Sequence, residues 1–175
     1  MCAQRNRYKD PPGINSIAVG DSFEDFVAAR HRLTVCKDIA FQLAHGDAWS
    51  GEPKIYHEIK HDPHSRYGHL MIEVAANRTG ESGWHLGGIF SDSDAHYYWH
   101  GDEQQYWRFA KADLLYWAVG IGVRLESVQA RAAGDTRFNQ LVIFQGTMMR
   151  VQMEYAEADN VGHRLVGRSS VGQLE

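Results

Sequence analysis

Three residues in the first half of the chain have the types and spacing that phosphoryl chemistry requires. Glu58 and Lys60 are two apart in Lys54-Ile55-Tyr56-His57-Glu58-Ile59-Lys60, a segment that alternates apolar and polar residues as a strand does. Side chains two apart on a strand emerge on one face, so Glu58 and Lys60 point one way, and Ile55, His57 and Ile59 the other. Asp47 precedes the turn signal Ser50-Gly51-Glu52-Pro53, and a hairpin there returns it beside Glu58. Two adjacent carboxylates make an oxygen-rich site for a hard cation such as Mg²⁺. Such a cation polarises a phosphoryl oxygen and lowers the pKa of its bound water. A lysine beside it can orient or help deprotonate the attacking water, or stabilise charge on the phosphate. A Glu and a Lys on one strand face are equally the pattern of a solvated surface pair, so these three residues alone leave both readings open.

The elements that must position them are legible from periodicity. Phe23, Phe26, Val27 and Leu33 recur at helical spacing, with Asp21 or Ser22 as the cap. From Thr34 the pattern alternates; Ile39, Phe41 and Leu43 share one face, which predicts a strand, with a second helix as the alternative. After the Glu58 strand comes a polar loop, His61 to Gly68. A strand at Leu70–Val74, a loop at Asn77–Ser82 and strands at Ala95–Trp99 and Gln104–Phe109 follow. A short helix is predicted over Ala110–Val119 and two strands at Leu141–Phe144 and Met148–Met153. From Ala156 the chain is charged and rich in Gly and Ser, which predicts a loose tail. This order predicts a mixed α/β domain, without the regular alternation of a doubly wound fold.

Composition bounds the reading. The 175 residues, 43% hydrophobic and 23% charged, suit a single soluble domain: an arm over residues 1–15, a core over 16–155 and the tail over 156–175. The formal charge of −4 excludes a broadly basic nucleic-acid coat but not a local basic groove. Cys2 and Cys36 form no CxxC pair, so neither a zinc knuckle nor a disulfide framework is expected, and a reducing compartment is the default. The arm carries Arg5, Arg7 and Lys9 without an apolar run, so no secretory signal or membrane span is expected, and the cytoplasm is the expected location.

The series Gly46-Asp47, then Glu58-Ile59-Lys60-His61-Asp62, then Met71-Ile72-Glu73-Val74 resembles the PD-(D/E)XK nuclease superfamily, above all its small phage and prophage members. The likeness continues through Ser82-Gly83-Trp84, Gly87-Gly88-Ile89-Phe90, Ala95-His96-Tyr97-Tyr98-Trp99 and the strand and helix from Gln105 to Trp117. It covers about residues 21 to 118. The resemblance implies a restriction-endonuclease-like core, with a central mixed β-sheet flanked by helices, hydrolysing DNA with Mg²⁺ or Mn²⁺. It implies that Asp47 and Glu58 bind the metal, that Ile59 adds its backbone carbonyl and that Lys60 is the catalytic lysine. Glu24 of the first helix and Glu73 of the following strand would support them. The chain departs from the family's pattern at Gly46, where Pro is usual, and at His96, where Asp often stands. If phage-encoded, the protein would act in the host cytoplasm, on DNA, away from membranes, with a homodimer as an option.

Other residues admit functional readings as well as structural ones. His61 and His64 follow the E-x-K strand and could approach a phosphate or bind a second metal; a solvated loop is the structural alternative. His57 should face away from Glu58, into the core. Tyr97, Tyr98, Trp99, Tyr106 and Trp107 could stack on bases or fill a sheet's core. No Walker loop, dinucleotide fingerprint or nucleophile elbow is present. Two alternatives therefore stand beside the nuclease: a catalytically silent relative that binds nucleic acid or a protein partner as a phage accessory factor, and a metallohydrolase assisted by His61 and His64.

Overall fold

The computed structural model describes residues 16–77 and 83–167. Helix α1 (Ser16–His31) buries Phe23 and Val27, four residues apart on one face. Arg30 in its last turn complements the helix dipole. It begins well before Asp21 and Ser22, so the expected cap is displaced into the helix. The alternation after Thr34 proves misleading. Only Thr34–Val35 (β1) is strand, and Ile39–His45 forms a helix, α2. The Asp38 carboxylate accepts the Phe41 N–H at 2.9 Å and starts it. No residue of α2 is buried, so the shared face of Ile39, Phe41 and Leu43 reported no sheet.

The hairpin then forms as the turn signal predicts, with β2 (Ala48–Ser50) and β3 (Ile55–His61) antiparallel and Ala48 opposite His57. The strands β4 (His69–Ala76), β5 (His85–Leu86), β6 (Tyr97–Gly101) and β7 (Gln105–Ala110) follow, and then α3 (Lys111–Gly120). Leu114, Trp117 and Ala118 form the buried stripe of α3. After α4 (Leu125–Ala132) come β8 (Leu141–Phe144), β9 (Met148–Glu154), α5 (Tyr155–Val161) and β10 (His163–Val166). The expected loop at Asn77–Ser82 lies almost wholly outside the described residues, as do the arm and residues 168–175.

The strands make two sheets. One is six-stranded in the order β1-β2-β3-β6-β7-β10, mixed because β3 and β6 run parallel among antiparallel pairs. The other is four-stranded and antiparallel, β5-β4-β9-β8. The chain is thus mixed α/β with a mixed central sheet and five helices among the described residues. Strand alternation sorts its two cores. Ile59, Trp99 and Tyr106 pack with Phe23 and Val27 of α1. Tyr98, Trp107 and Phe109 point the other way and pack with Leu70, Ile72, Val151 and the α3 stripe. Trp99, Tyr106 and Trp107 are therefore core residues, unavailable for base stacking.

The expected loose tail needs correction. Residues 155–166 form α5 and β10, and β10 extends the six-stranded sheet along β7. Ala158 is fully buried, and Asp159 accepts the Trp107 Nε1–H at 2.9 Å while pairing with Arg164. Arg164 also lies over the Trp107 ring, so the charges that suggested disorder are partners here. Cys36 is buried; Cys2 lies outside the described residues. No helix among the described residues is long and apolar enough to cross a membrane.

Candidate active site

The backbone fixes Asp47 before any charge is considered. Its N–H donates to the His57 carbonyl at 2.8 Å, and its Oδ2 accepts the Ile59 N–H at 2.8 Å. Gly46 makes that approach possible: φ is +95°, and a Cβ there would sit 2.7 Å from the His57 carbonyl oxygen. That explains why a glycine precedes the acid. On β3, Glu58 and Lys60 share the face of Tyr98 and His100, their register partners on β6, while His57 and Ile59 face α1.

The sequence-derived triad comes together. The Lys60 ammonium lies 3.9 Å from Asp47 Oδ2 and in direct contact with Glu58 Oε1. The acids are nearly buried, whereas the Lys60 side chain remains 47% exposed and opens onto solvent. Burial works to depress the Lys60 pKa, but Asp47 and Glu58 outweigh it and hold the amine above its ordinary range. Glu58 is raised by burial, and Asp47 and Glu24 add to this against the opposing pull of Lys60. Glu24 is buried and likewise raised, by desolvation first and Asp47 second, although Lys37 contacts it directly. Lys37 also pairs with Asp21 at 3.1 Å. The result is a cluster in which Glu24, Asp47 and Glu58 crowd one another and two lysines compensate them.

Asp47, Glu58 and Lys60 line a cleft of about 370 Å³ whose other wall is the four-stranded sheet. Glu73 stands on that wall and adds to the negative field at Lys60. Gly88 packs so tightly against Glu73 that a Cβ would lie 2.2 Å from its carbonyl oxygen, and the Tyr98 hydroxyl donates to the Gly88 carbonyl at 3.1 Å. Lys111 donates to the carbonyls of Ser91 and Ser93 and closes the loop beside Glu58.

The histidines separate. His57 is buried as expected; it accepts the Trp99 Nε1–H at Nδ1, so Nε2 carries the proton and donates to Ser50 Oγ. Desolvation pushes its pKa down to about 4. His61 sets its ring against Phe23, and burial lowers its pKa against the pull of Asp102 and Asp62. His64 hydrogen-bonds Asp62 and does not join Asp47 and Glu58. His96 receives the Tyr56 N–H at 3.2 Å. Sequence reasoning missed Lys37, His100 and the role of Asp62. Asp38, a good cap for α2, was the available signal for placing Lys37; nothing in the spacing marked His100.

The donor set fits a hard cation that keeps its waters. Asp47 Oδ1 receives no hydrogen bond from the described residues, and Glu58 is held only by a lysine that a cation can replace. No group of three or more His, Cys, Asp or Glu among the described residues is arranged to hold a metal by itself. Asp47 and Glu58 are the carboxylates in the cleft that contact or lie beside the Lys60 ammonium. Comparison with family models, with curated proteins and with solved structures finds no match for the chain.

Proposed function

We propose that this chain is a metal-dependent nuclease that hydrolyses DNA phosphodiester bonds in the cleft, on a restriction-endonuclease-like core. The observation that carries this reading is the convergence of Asp47, Glu58 and the Lys60 ammonium at the edge of an open cleft. The order of a helix, a hairpin, the E-x-K strand and a parallel partner strand supports the core assignment. Asp47, Glu58 and the Ile59 carbonyl would hold Mg²⁺ or Mn²⁺, which when bound supplies Lewis-acid polarisation of the phosphoryl oxygen and an acidified water. Lys60, held protonated by its acidic neighbours, acts as a donor: it orients the attacking water and neutralises charge gathering on the phosphate. Glu24 raises the negative field behind Asp47 and Glu58, which increases their demand for a cation. Glu73 extends that field to the opposite wall.

Incubation with plasmid and with single-stranded DNA, in Mg²⁺, Mn²⁺ and chelator, tests the reading. Cleavage in either metal, none in chelator, and loss in Glu58→Ala and Lys60→Ala are expected. Undiminished cleavage by either variant rejects the assignment. DNA binding without cleavage would favour a silent, binding relative.

A further inference from the structure

Arg150 is a charged group that the proposed chemistry leaves unused. It stands on β9 directly opposite Glu73 of β4, and both line the cleft from the four-stranded sheet. Its guanidinium forms neither a hydrogen bond nor an ion pair with the described residues, and its Nε is buried without a partner. The centre of the Phe144 ring lies 4.3 Å from the guanidinium carbon, which sits over its face. A buried N–H left unmade costs stability, so its persistence calls for an explanation beyond packing. A guanidinium stacked on a ring keeps its in-plane fork of donors free, which is the geometry that grips an oxyanion with two bonds.

The cleft also limits what can reach that fork. A volume of about 370 Å³ accommodates a small-molecule-sized unit such as one nucleotide, which a single strand can present without unpairing. Ile39 and Leu43 line it too and are 49% and 63% exposed, an apolar surface for a base. We infer that Arg150 binds a phosphate of a single DNA strand lying in the cleft, across from the wall that carries Lys60. The identity of the strand as nucleic acid rests on the nuclease reading; the contact itself is measured without cleavage.

The test is binding of a labelled oligothymidylate and of a hairpin duplex in chelator, over a salt series starting at low ionic strength. The proteins are wild type, Arg150→Gln and Arg150→Lys, with thermal melting as the check on folding. Arg150→Gln should weaken oligothymidylate binding on the order of tenfold and lower the slope of log affinity against log salt by about 0.7, one phosphate contact on a single strand. Arg150→Lys should keep the slope with an intermediate affinity, and this variant carries the test if the glutamine variant melts early. Wild type should prefer the single strand. An unchanged affinity and slope in Arg150→Gln, a lysine variant whose slope falls, a wild type that does not bind, or a preference for the duplex each overturn the inference. Arg150-dependent binding without metal-dependent cleavage would sink the nuclease reading and leave this contact standing. Cleavage with binding indifferent to Arg150 would do the reverse.

Discussion

Asp62 and the Asp47–Glu58 pair are acids on the same cleft, Asp62 following Glu58 closely along the chain, and they live in opposite electrostatic worlds. Asp62 accepts the Met71 N–H at 2.6 Å, the His64 N–H at 2.9 Å and the His100 Nε2 at 3.0 Å. Burial alone would raise its pKa, but His100 and those backbone donors outweigh it and hold the carboxyl well below its ordinary range. Its partners come from both sheets, so it braces β3 and β6 against β4. Around Asp47, Glu58 and Glu24 the backbone supplies little, acids crowd acids, and Glu24 and Glu58 are raised. A buried acid satisfied by fixed donors holds a structure together. A buried acid compensated by a half-exposed lysine is the one at which we propose the exchange of that lysine for a cation.

Breaking that contrast should have its largest effect on catalysis. Lys60→Ala should reduce metal-dependent cleavage on the order of 10³-fold, with the melting temperature close to wild type. Equal loss of both would show a structural lysine. The reverse signature is expected at the brace: Asp62→Ala should cost about 3 kcal/mol in denaturant unfolding, because it strands buried donors. A smaller cost than that of Glu58→Gln would erase the distinction. Next, Gly46→Ala should destabilise by roughly 2 kcal/mol and depress cleavage beyond its effect on folding, because the left-handed backbone and the close carbonyl both resist a Cβ.

The pH response sharpens the contrast further. A carboxylate raised in the fold binds protons more tightly there than unfolded, so Glu24 and Glu58 cost stability once pH rises past their folded values, and acidification relieves that cost. Glu58→Gln should therefore gain stability relative to wild type as pH rises through the carboxyl's folded value, and lose the advantage in acid. Asp62 has the opposite sign: its contribution is complete above the unfolded value of 3.8 and is lost as pH falls through its folded one. His57 loses its contribution earlier, as pH falls from 6.5 toward about 4, because the unfolded imidazole takes up a proton that the buried ring, bonded to Trp99, refuses. Unfolding followed across that window in wild type and His57→Gln checks it; parallel curves would contradict the assignment.

The triad was readable because strand alternation and a turn signal act over a few residues. Glu58, Lys60 and the return of Asp47 needed nothing else. Residues 39–43 misled because three apolar side chains at alternate positions mimic a strand, while the decisive feature was a single cap, Asp38. Residues 155–166 misled because the sheet edge at β7 lies some 50 positions away in sequence, as the Trp107–Asp159 bond records. The same distance hid the cleft's second wall. β4 follows β3 closely yet joins another sheet, paired with β9, so no local pattern could place Arg150 opposite Glu73 beside the site.

The most direct measurement is a calorimetric or paramagnetic titration of Mn²⁺ into wild type, Glu58→Gln and Asp62→Asn. Binding in wild type, its loss in Glu58→Gln and its survival in folded Asp62→Asn are the results expected of an exchangeable acid pair beside a structural one. Wild type that binds no Mn²⁺, or Glu58→Gln that binds it as wild type does, would contradict the account.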